Sequence, residues 1–210
     1  MVQPEKKSTR IQQQNRDRIL TAALAIFSRY GYRGSTVDQI ATEAGMSKAN
    51  LLYYFRRKQD IYLAVLAETL EQWLDPLQML DPAGDPIDEL WRYTQTKLRL
   101  SRQAPAASRL FANEILQGAP MIKPFLANEL KTLVTRKCGI IQDWIDQGKL
   151  ADTRPIHLIF LIWAATQHYA DFDAQISVLS DDDEDTLFSD AEATLKTILQ
   201  SGLRPRPAQL

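Results

Sequence analysis

Residues 36–55 read TVDQIATEAGMSKANLLYYF, which is the pattern of two short helices joined by a tight turn. Thr36 is a favourable N-cap residue, and Gln39 three positions later completes a capping box. Gly45 permits the positive φ that a tight turn requires, and Ser47 can cap the following helix. Two short helices around a glycine-containing turn form a helix-turn-helix, so the stretch predicts that motif.

The second helix of this motif carries the side chains expected to meet DNA. Such a helix enters the major groove and contacts base edges from its first turns, while nearby hydroxyls and basic groups hold phosphates. A helix N-terminus and a basic run after the motif also suit phosphates. The predicted DNA-binding residues are Thr36, Ser47, Lys48, Ala49, Asn50, Tyr53, Tyr54 and Lys58. The pattern alone leaves an alternative open, because glycine-linked helices and solvated basic faces also occur in proteins that do not bind DNA.

The distribution of charge favours a polyanionic partner for the N-terminal part. The 210 residues have a formal net charge of −1. Residues 1–60 hold 11 of the 25 Lys/Arg and 5 of the 26 Asp/Glu, a net of +6. The remaining 14 basic and 21 acidic residues give a net of −7. A basic head on an acidic body indicates a head that meets an anion such as duplex DNA.

Composition and motifs exclude several other classes of protein. Cys138 is the single cysteine, so an internal disulfide or a multi-cysteine zinc site is excluded. The longest fully apolar run is the eight residues 158–165, whereas a membrane span needs about 20. Residues 1–18 are polar and basic, unlike a signal peptide, so we expect a cytoplasmic protein with no membrane partner. No catalytic triad, metal-ligand spacing or phosphate-binding glycine loop is present, so we expect no enzyme, no metal and no cofactor.

Apolar spacings of three and four, with only 8 glycines, predict an all-α protein of about nine helices. Three small helices lie in front, and we assign residues 1–57 to an N-terminal arm and helix-turn-helix DNA-binding domain. Six larger helices follow, and we assign residues 58–210 to ligand binding and dimerisation. The predicted helices cover residues 11–30, 37–44, 48–55, 59–77, 86–102, 106–116, 124–147, 155–172 and 182–200.

Candidate ligand-binding residues lie on the helices of this body. Gln167 is a polar residue on the apolar face of helix 155–172, and its amide offers a donor and an acceptor that match a lactam or pyrimidine edge. Trp163, one turn earlier, can stack on a flat ring. The alternatives for Gln167 are a buried amide satisfied by backbone and a position in a subunit interface.

Three further candidates have structural alternatives of their own. Trp73 follows the apolar stripe of its helix, so plain core packing is the alternative to ligand stacking. Lys97 can be a solvated lysine or a donor that points into a pocket. Arg109 can bind a ligand or form an ion pair with Glu114 or with a residue of another helix.

The stretch TVDQIATEAGMSKANLLYYFRRKQDIYLAVL resembles the DNA-binding head of the TetR family of bacterial transcriptional regulators. Seven positions fall where the family pattern expects them: Gly45, Ser47, Leu51, Tyr53, Tyr54, Phe55 and Lys58. Arg56-Arg57 departs from the Pro-Ser that is frequent there. The resemblance implies a three-helix, homeodomain-like head on a helical body, and a homodimer in which the last two long helices of each subunit form a four-helix bundle. It also implies binding to a palindromic operator.

A narrower resemblance is to TetR-family regulators of pyrimidine utilisation. It rests on ASRLFANEILQGAP, HLIFLIWAATQHYADF and EQWLDPL, and most specifically on TQHYADF. It implies a repressor that uracil, thymine or a related pyrimidine catabolite releases from DNA. Two alternatives remain: a TetR-family regulator that responds to an unrelated small molecule, and a ligand-independent DNA-binding protein.

Overall fold

A computed structural model describes residues 10–205, and all regular secondary structure in that range is helical. This confirms the all-α prediction. The chain forms two compact units, Met1–Thr69 and Leu70–Leu210. The boundary between them falls within one long helix. The functional boundary that we place after residue 57 remains a prediction.

The first unit contains the three head helices and the start of a fourth. They are α1 (Arg10–Gly34), α2 (Val37–Glu43), α3 (Lys48–Tyr54) and α4 (Lys58–Gln78). Gly31 has φ 68° and ψ 174°, so regular helical geometry stops after Tyr30, where the sequence predicted the end of the first helix. The head core consists of buried apolar side chains from all four helices, among them Ile19, Leu20, Ala23, Phe27, Ile40, Ala41, Leu51, Phe55, Ile61 and Leu66.

The second unit contains the end of α4 and the remaining helices. They are α5 (Pro86–Gln103), α6 (Pro105–Leu116), α7 (Lys123–Phe125), a π-helical turn (Leu126–Leu130), α8 (Lys131–Asp146), α9 (Pro155–Asp171), α10 (Asp173–Leu179) and α11 (Glu184–Leu203). The segments from α7 to α8 form one continuous helix over 123–146. The Asn128 side-chain amide of the π-helical turn donates to the Pro124 carbonyl of α7 at 2.9 Å.

The core of the second unit is a cluster of buried aliphatic and aromatic side chains. Helix α9 packs closely on α5 and α6, and α11 packs on α5. The cluster includes Leu77, Leu90, Tyr93, Val134, Ile141, Trp144, Leu158, Ile159, Ile162, Leu199 and Leu203. Burying the apolar faces of these helices against one another stabilises the body and positions α6 and α9, which line the cavity described below.

The predicted number of helices is one too low. With 123–146 counted as one helix, residues 10–205 form ten helices rather than nine, because α10 is a separate helix. Neither glycine nor proline marks its ends, so the sequence offers no clear signal for it. The acidic run 181–185 does cap the last helix as expected: Asp183 accepts a hydrogen bond from the Thr186 amide at 2.8 Å.

Candidate functional site

Side-chain caps fix the beginnings of α2 and α3. Thr36 Oγ1 accepts from the Gln39 amide at 3.2 Å, and Gln39 Oε1 accepts from the Thr36 amide at 2.8 Å. Ser47 Oγ accepts from the Asn50 amide at 3.2 Å. The capping box and the Ser47 cap are therefore confirmed. The Thr36 hydroxyl also donates to Gln39 Oε1 at 3.0 Å, so a phosphate would have to replace that contact.

The turn between α2 and α3 depends on Gly45. Its φ is +60°, and a Cβ atom built there would lie 2.6 Å from Arg18 Nη2. Arg18 in turn donates to the Gly45 carbonyl at 3.2 Å. The backbone conformation therefore favours glycine at this position, whereas the nearby guanidinium is the end of a flexible side chain that can move aside.

Helix α3 has one buried face and one solvent face. Leu51 is fully buried, whereas Tyr53 is 73% exposed. Ala49 and Asn50 are exposed as predicted. The Lys48 ammonium, at the first position of α3, forms an exposed ion pair with Asp38 at 2.8 Å. The solvent face thus presents a small residue, an amide, a phenol and a paired lysine, which is a surface that can contact base edges and phosphates.

Two predicted DNA-binding residues are engaged within the head. The Tyr54 hydroxyl accepts from Asn15 Nδ2 of α1 at 2.8 Å. The Lys58 ammonium donates to the Tyr32 carbonyl at 2.6 Å and to the Ser35 carbonyl at 2.8 Å, and it lies 4.4 Å from the centre of the Tyr32 ring. Lys58 therefore joins the start of α4 to the end of α1, a structural role in addition to the predicted phosphate contact.

We expect Lys58→Ala to weaken binding to the operator and to unrelated duplex by a similar factor. The change removes a positive charge next to the motif, and a phosphate contact carries no sequence information. It also removes the Lys58 donor from the Ser35 carbonyl and leaves the Tyr32 carbonyl with the Ser35 hydroxyl as its side-chain donor, at a cost of about 1–3 kcal/mol in the stability of the head. Fluorescence anisotropy with both duplexes, together with thermal unfolding, measures the two effects.

The control for this variant is Arg56→Ala, which removes the same charge from an exposed side chain two residues away. It should reduce DNA affinity with no loss of head stability. A loss confined to one operator sequence in Lys58→Ala would contradict the phosphate role.

The second unit contains a cavity of about 630 Å³ between α6, α9 and the π-helical turn. This volume lies in the range of small-molecule sites, and the lining is mostly apolar with a few polar groups. The lining residues are Arg109, Phe111, Ala112, Asn113, Ile115, Leu116, Leu126, Leu130, Trp163, Gln167, Asp171 and Phe172. Three of the five predicted ligand-binding residues, Arg109, Trp163 and Gln167, thus lie in its wall.

Trp163 and Gln167 lie one helical turn apart in this wall. Trp163 Nε1 donates to the Tyr93 hydroxyl at 2.5 Å, which fixes the orientation of the indole ring. Burial raises the pKa of Tyr93, so the phenol stays protonated. The half-buried Gln167 amide has no hydrogen-bond partner within residues 10–205, so its donor and acceptor are available to a ligand. This differs from the alternative of an amide satisfied by backbone.

Asp171 is a polar wall residue that the sequence analysis missed. It lies one turn beyond Gln167, so continuing the spacing of four from Trp163 would have found it. Burial raises the pKa of the Asp171 carboxyl, while the Ser108 hydroxyl, which donates to Oδ1 at 2.6 Å, opposes that shift. Nearby Arg109 donates to Asp173 at 2.8 Å and to the Ala170 carbonyl at 3.2 Å. Its ion pair is therefore with another helix, not with Glu114.

Trp73 and Lys97 do not line this cavity but lie together in the interior. Trp73 is buried as predicted for a core residue, and Lys97 is only 3% exposed rather than solvated. Lys97 Nζ lies 3.6 Å from the centre of the Trp73 ring. Burial lowers the pKa of Lys97 from 10.5 to about 7, and the charge of Asp171 opposes this shift. Asp171 therefore connects the buried pair electrostatically to the wall of the cavity.

Two other kinds of feature are absent from residues 10–205. No group of three or more His, Cys, Asp or Glu side chains in that range is arranged to hold a metal ion. None of the helices described is long and apolar enough to cross a membrane.

Comparison with known proteins identifies relatives of both units. Residues 19–65 match the family model described as bacterial regulatory proteins, tetR family. Residues 66–206 match the model described as YcdC-like protein, C-terminal region. The chain is 43% identical over 190 residues to the HTH-type transcriptional regulator RutR of Escherichia coli K12, an alignment that covers 90% of each chain.

Solved structures share the fold at lower sequence identity. A regulator of fatty acid metabolism from Clostridium perfringens superposes with a TM-score of 0.71 at 21% identity, covering 88% of this chain and 97% of that one. The fatty acid degradation regulator FadR of Bacillus halodurans gives a TM-score of 0.67 at 19% identity, covering 96% and 100%. At such identities these structures support the fold alone.

Proposed function

The chain belongs to the TetR family of bacterial transcriptional regulators, and on that premise we propose that it is a dimeric repressor which a pyrimidine or a related catabolite releases from a palindromic operator. The family consists of regulators and not enzymes. A DNA-binding role agrees with the solvent face of α3, on which Ala49, Asn50 and Tyr53 are exposed next to Lys48. The predicted DNA contacts of individual residues belong to this proposal.

The cavity wall at Trp163 and Gln167 carries the proposal of a pyrimidine effector. Gln167 has an unpartnered amide that can donate to a ring carbonyl and accept from a ring N–H at the same edge. Trp163 is held by Tyr93 at 2.5 Å and offers an aromatic surface one turn away. A flat ring with a lactam edge satisfies both groups together, and the narrower sequence resemblance implies the same class of ligand.

We propose that the protein binds a palindromic operator as a homodimer, with one head on each half-site. Helix α9 exposes Phe160 and Leu161, and α11 exposes Ile198. Such apolar groups on two long helices suit a four-helix bundle with the same helices of a second subunit. Two heads that read a palindrome must be separated by about 34 Å, one turn of DNA.

The continuous helix α4 offers a route by which the effector could act on DNA binding. Its first residue, Lys58, belongs to the head, and Trp73 belongs to the body. We propose that the effector prefers one arrangement of α4, because a ligand shifts an equilibrium only by its difference in affinity for the two states. A coupling of about 1–3 kcal/mol would lower operator affinity roughly 5- to 150-fold.

One observation favours a second candidate effector. The cavity of about 630 Å³ is larger than a single pyrimidine ring fills, and its mouth includes the exposed apolar residues Ile115 and Leu116. A larger apolar molecule could occupy this space, which keeps the alternative of an unrelated effector. A protein that binds DNA without any effector would leave the cavity without a role.

Two experiments test the proposal. A thermal-shift screen of nucleobases, their catabolites and unrelated apolar compounds identifies the effector, because a ligand that binds the native state raises the melting temperature. Selection from random duplexes followed by anisotropy identifies the operator. We expect uracil or thymine to raise the melting temperature and to weaken binding to the selected duplex. Stabilisation only by apolar compounds would contradict the pyrimidine proposal, and failure to select any duplex would contradict the repressor role.

A further inference from the structure

Trp73 and Lys97 place two hydrogen-bond donors side by side in the interior, and the Trp73 indole N–H has no acceptor within residues 10–205. Trp73 Nε1 is buried and has no partner within residues 10–205. The Lys97 ammonium lies 3.6 Å from the centre of the Trp73 ring, and Lys97 is only 3% exposed. Buried donors that stay unsatisfied are costly, and an apolar side chain of similar size would avoid the cost. Their presence therefore indicates a role other than packing.

We infer that Lys97 and Trp73 form an inner subsite behind the Asp171 wall of the effector cavity, which binds a carbonyl oxygen of the effector and takes up a proton when it does so. The inference rests on the function proposed above and specifies the chemistry and regulation of that site. Both groups offer donors only, so the ligand group that fits them must be an acceptor. A carbonyl oxygen near both would satisfy the two donors together.

Asp171 determines which carbonyl compounds fit. Its side chain lines the cavity, and its charge acts on Lys97 behind the wall. The Ser108 hydroxyl donates to Oδ1, and release of this one contact would let the carboxylate turn aside as a ligand enters. Asp171 then offers an acceptor beside the two donors, which matches a C=O next to an N–H. Neutral lactams and ureides carry that pair, whereas a carboxylate ligand would be repelled by Asp171.

The charged groups on the helices around Lys97 leave it with one electrostatic partner. Asp171 of α9 is the charge that acts on Lys97, while Arg109 of α6 and His168 of α9 act on Asp171. Glu192 of α11 accepts from Gln95 at 2.6 Å. Lys196, also on α11, lies 5.7 Å from the centre of the Trp91 ring. On α4, the Asp75 side chain is exposed. Asp171 is thus the charge that acts on Lys97.

This environment makes the protonation of Lys97 sensitive to the ligand. Burial lowers the pKa of Lys97 to about 7, so the free protein loses this proton near neutral pH. A carbonyl oxygen at Nζ favours the ammonium form and raises the pKa again. Effector binding therefore takes up a proton, and effector affinity must fall as the pH rises above about 7.

The test is calorimetric titration of the full-length protein with uracil, which stays neutral between pH 6 and pH 8. We expect the Kd to be about tenfold higher at pH 8 than at pH 6, as follows from a lysine that titrates near pH 7 only in the free protein. Titration at pH 7 in buffers of different ionisation enthalpy should show uptake of about half a proton per site.

Lys97→Met removes the titrating group and should abolish both the pH dependence and the proton uptake. It should also raise the melting temperature of the free protein, because a buried amine whose charged form is disfavoured by burial is replaced by an apolar side chain of similar length. The matched control is Lys137→Met, since Lys137 is equally buried but donates to the Gln78 and Leu80 carbonyls at 2.7 and 3.0 Å. That variant should lower the melting temperature and keep the pH dependence.

The outcomes separate this inference from the proposed function. Equal affinity at pH 6 and pH 8 in the wild-type protein, or a pH dependence retained in Lys97→Met, overturns the inference and leaves a pyrimidine effector standing. If no pyrimidine binds the wild-type protein at any pH, the proposed effector class fails and this inference fails with it. If Lys97→Met does not fold, the wild-type pH profile and proton uptake decide alone.

Discussion

Leu51→Ala should abolish operator binding and leave effector binding unchanged. Leu51 is fully buried at the centre of the helix-turn-helix, and truncation of a buried leucine costs about 2–5 kcal/mol. A unit as small as Met1–Thr69 has a limited reserve of stability, so a loss of this size leaves much of the head unfolded. We expect operator affinity to fall by more than about 100-fold, measured by anisotropy with the selected duplex.

The neighbouring residue supplies a matched control for this variant. Leu52 belongs to the same helix but is 36% exposed, so Leu52→Ala removes the same atoms with little loss of packing. Its effect on head stability should stay below about 1 kcal/mol. Hydrogen exchange should show lost protection in α1 to α3 for Leu51→Ala only. Wild-type operator affinity in Leu51→Ala, or an equal loss of effector binding, would contradict the assignment of DNA binding to the head.

The helix-turn-helix could be predicted because its signals are local. Thr36 and Gln39 are three residues apart, as are Ser47 and Asn50, and caps at this distance depend only on the sequence nearby. Gly45 marks the turn for the same reason. The hydrogen bonds of Tyr54 and Lys58 within the head could not be predicted, because their partners Asn15 and Tyr32 lie 39 and 26 residues away along the chain. Contacts at such separations depend on tertiary packing, which no local pattern specifies.

The cavity was predicted in part for a similar reason. Trp163 and Gln167 share a helix face through their spacing of four, and the structure places both in the same wall. Arg109 reaches this wall because α6 packs on α9, which the sequence does not specify. The burial of Lys97 also follows from packing between helices. Lysine is seldom buried without a partner, so solvation was the more natural expectation.

Gln167→Ala should weaken effector binding about 10- to 100-fold while operator binding stays unchanged. The variant removes a donor and an acceptor from the cavity wall, and two neutral hydrogen bonds contribute about 1–3 kcal/mol together. Because the amide has no partner within residues 10–205, its removal should not lower the stability of the free protein by more than about 0.5 kcal/mol. Calorimetry with uracil and anisotropy with the operator measure the two affinities.

Two variants make this test specific for the polarity of the site. Gln175→Ala changes an exposed glutamine on α10 outside the cavity and should leave the effector response unaltered. Gln167→Glu keeps acceptors but removes the amide donor and adds a charge near Asp171, so it should lose at least as much affinity as the alanine variant if the amide donates to a ring carbonyl. Normal release of the operator by uracil in both Gln167 variants would exclude this wall as the pyrimidine site. The cavity would then suit the alternative of a larger apolar effector, which does not need the Gln167 amide.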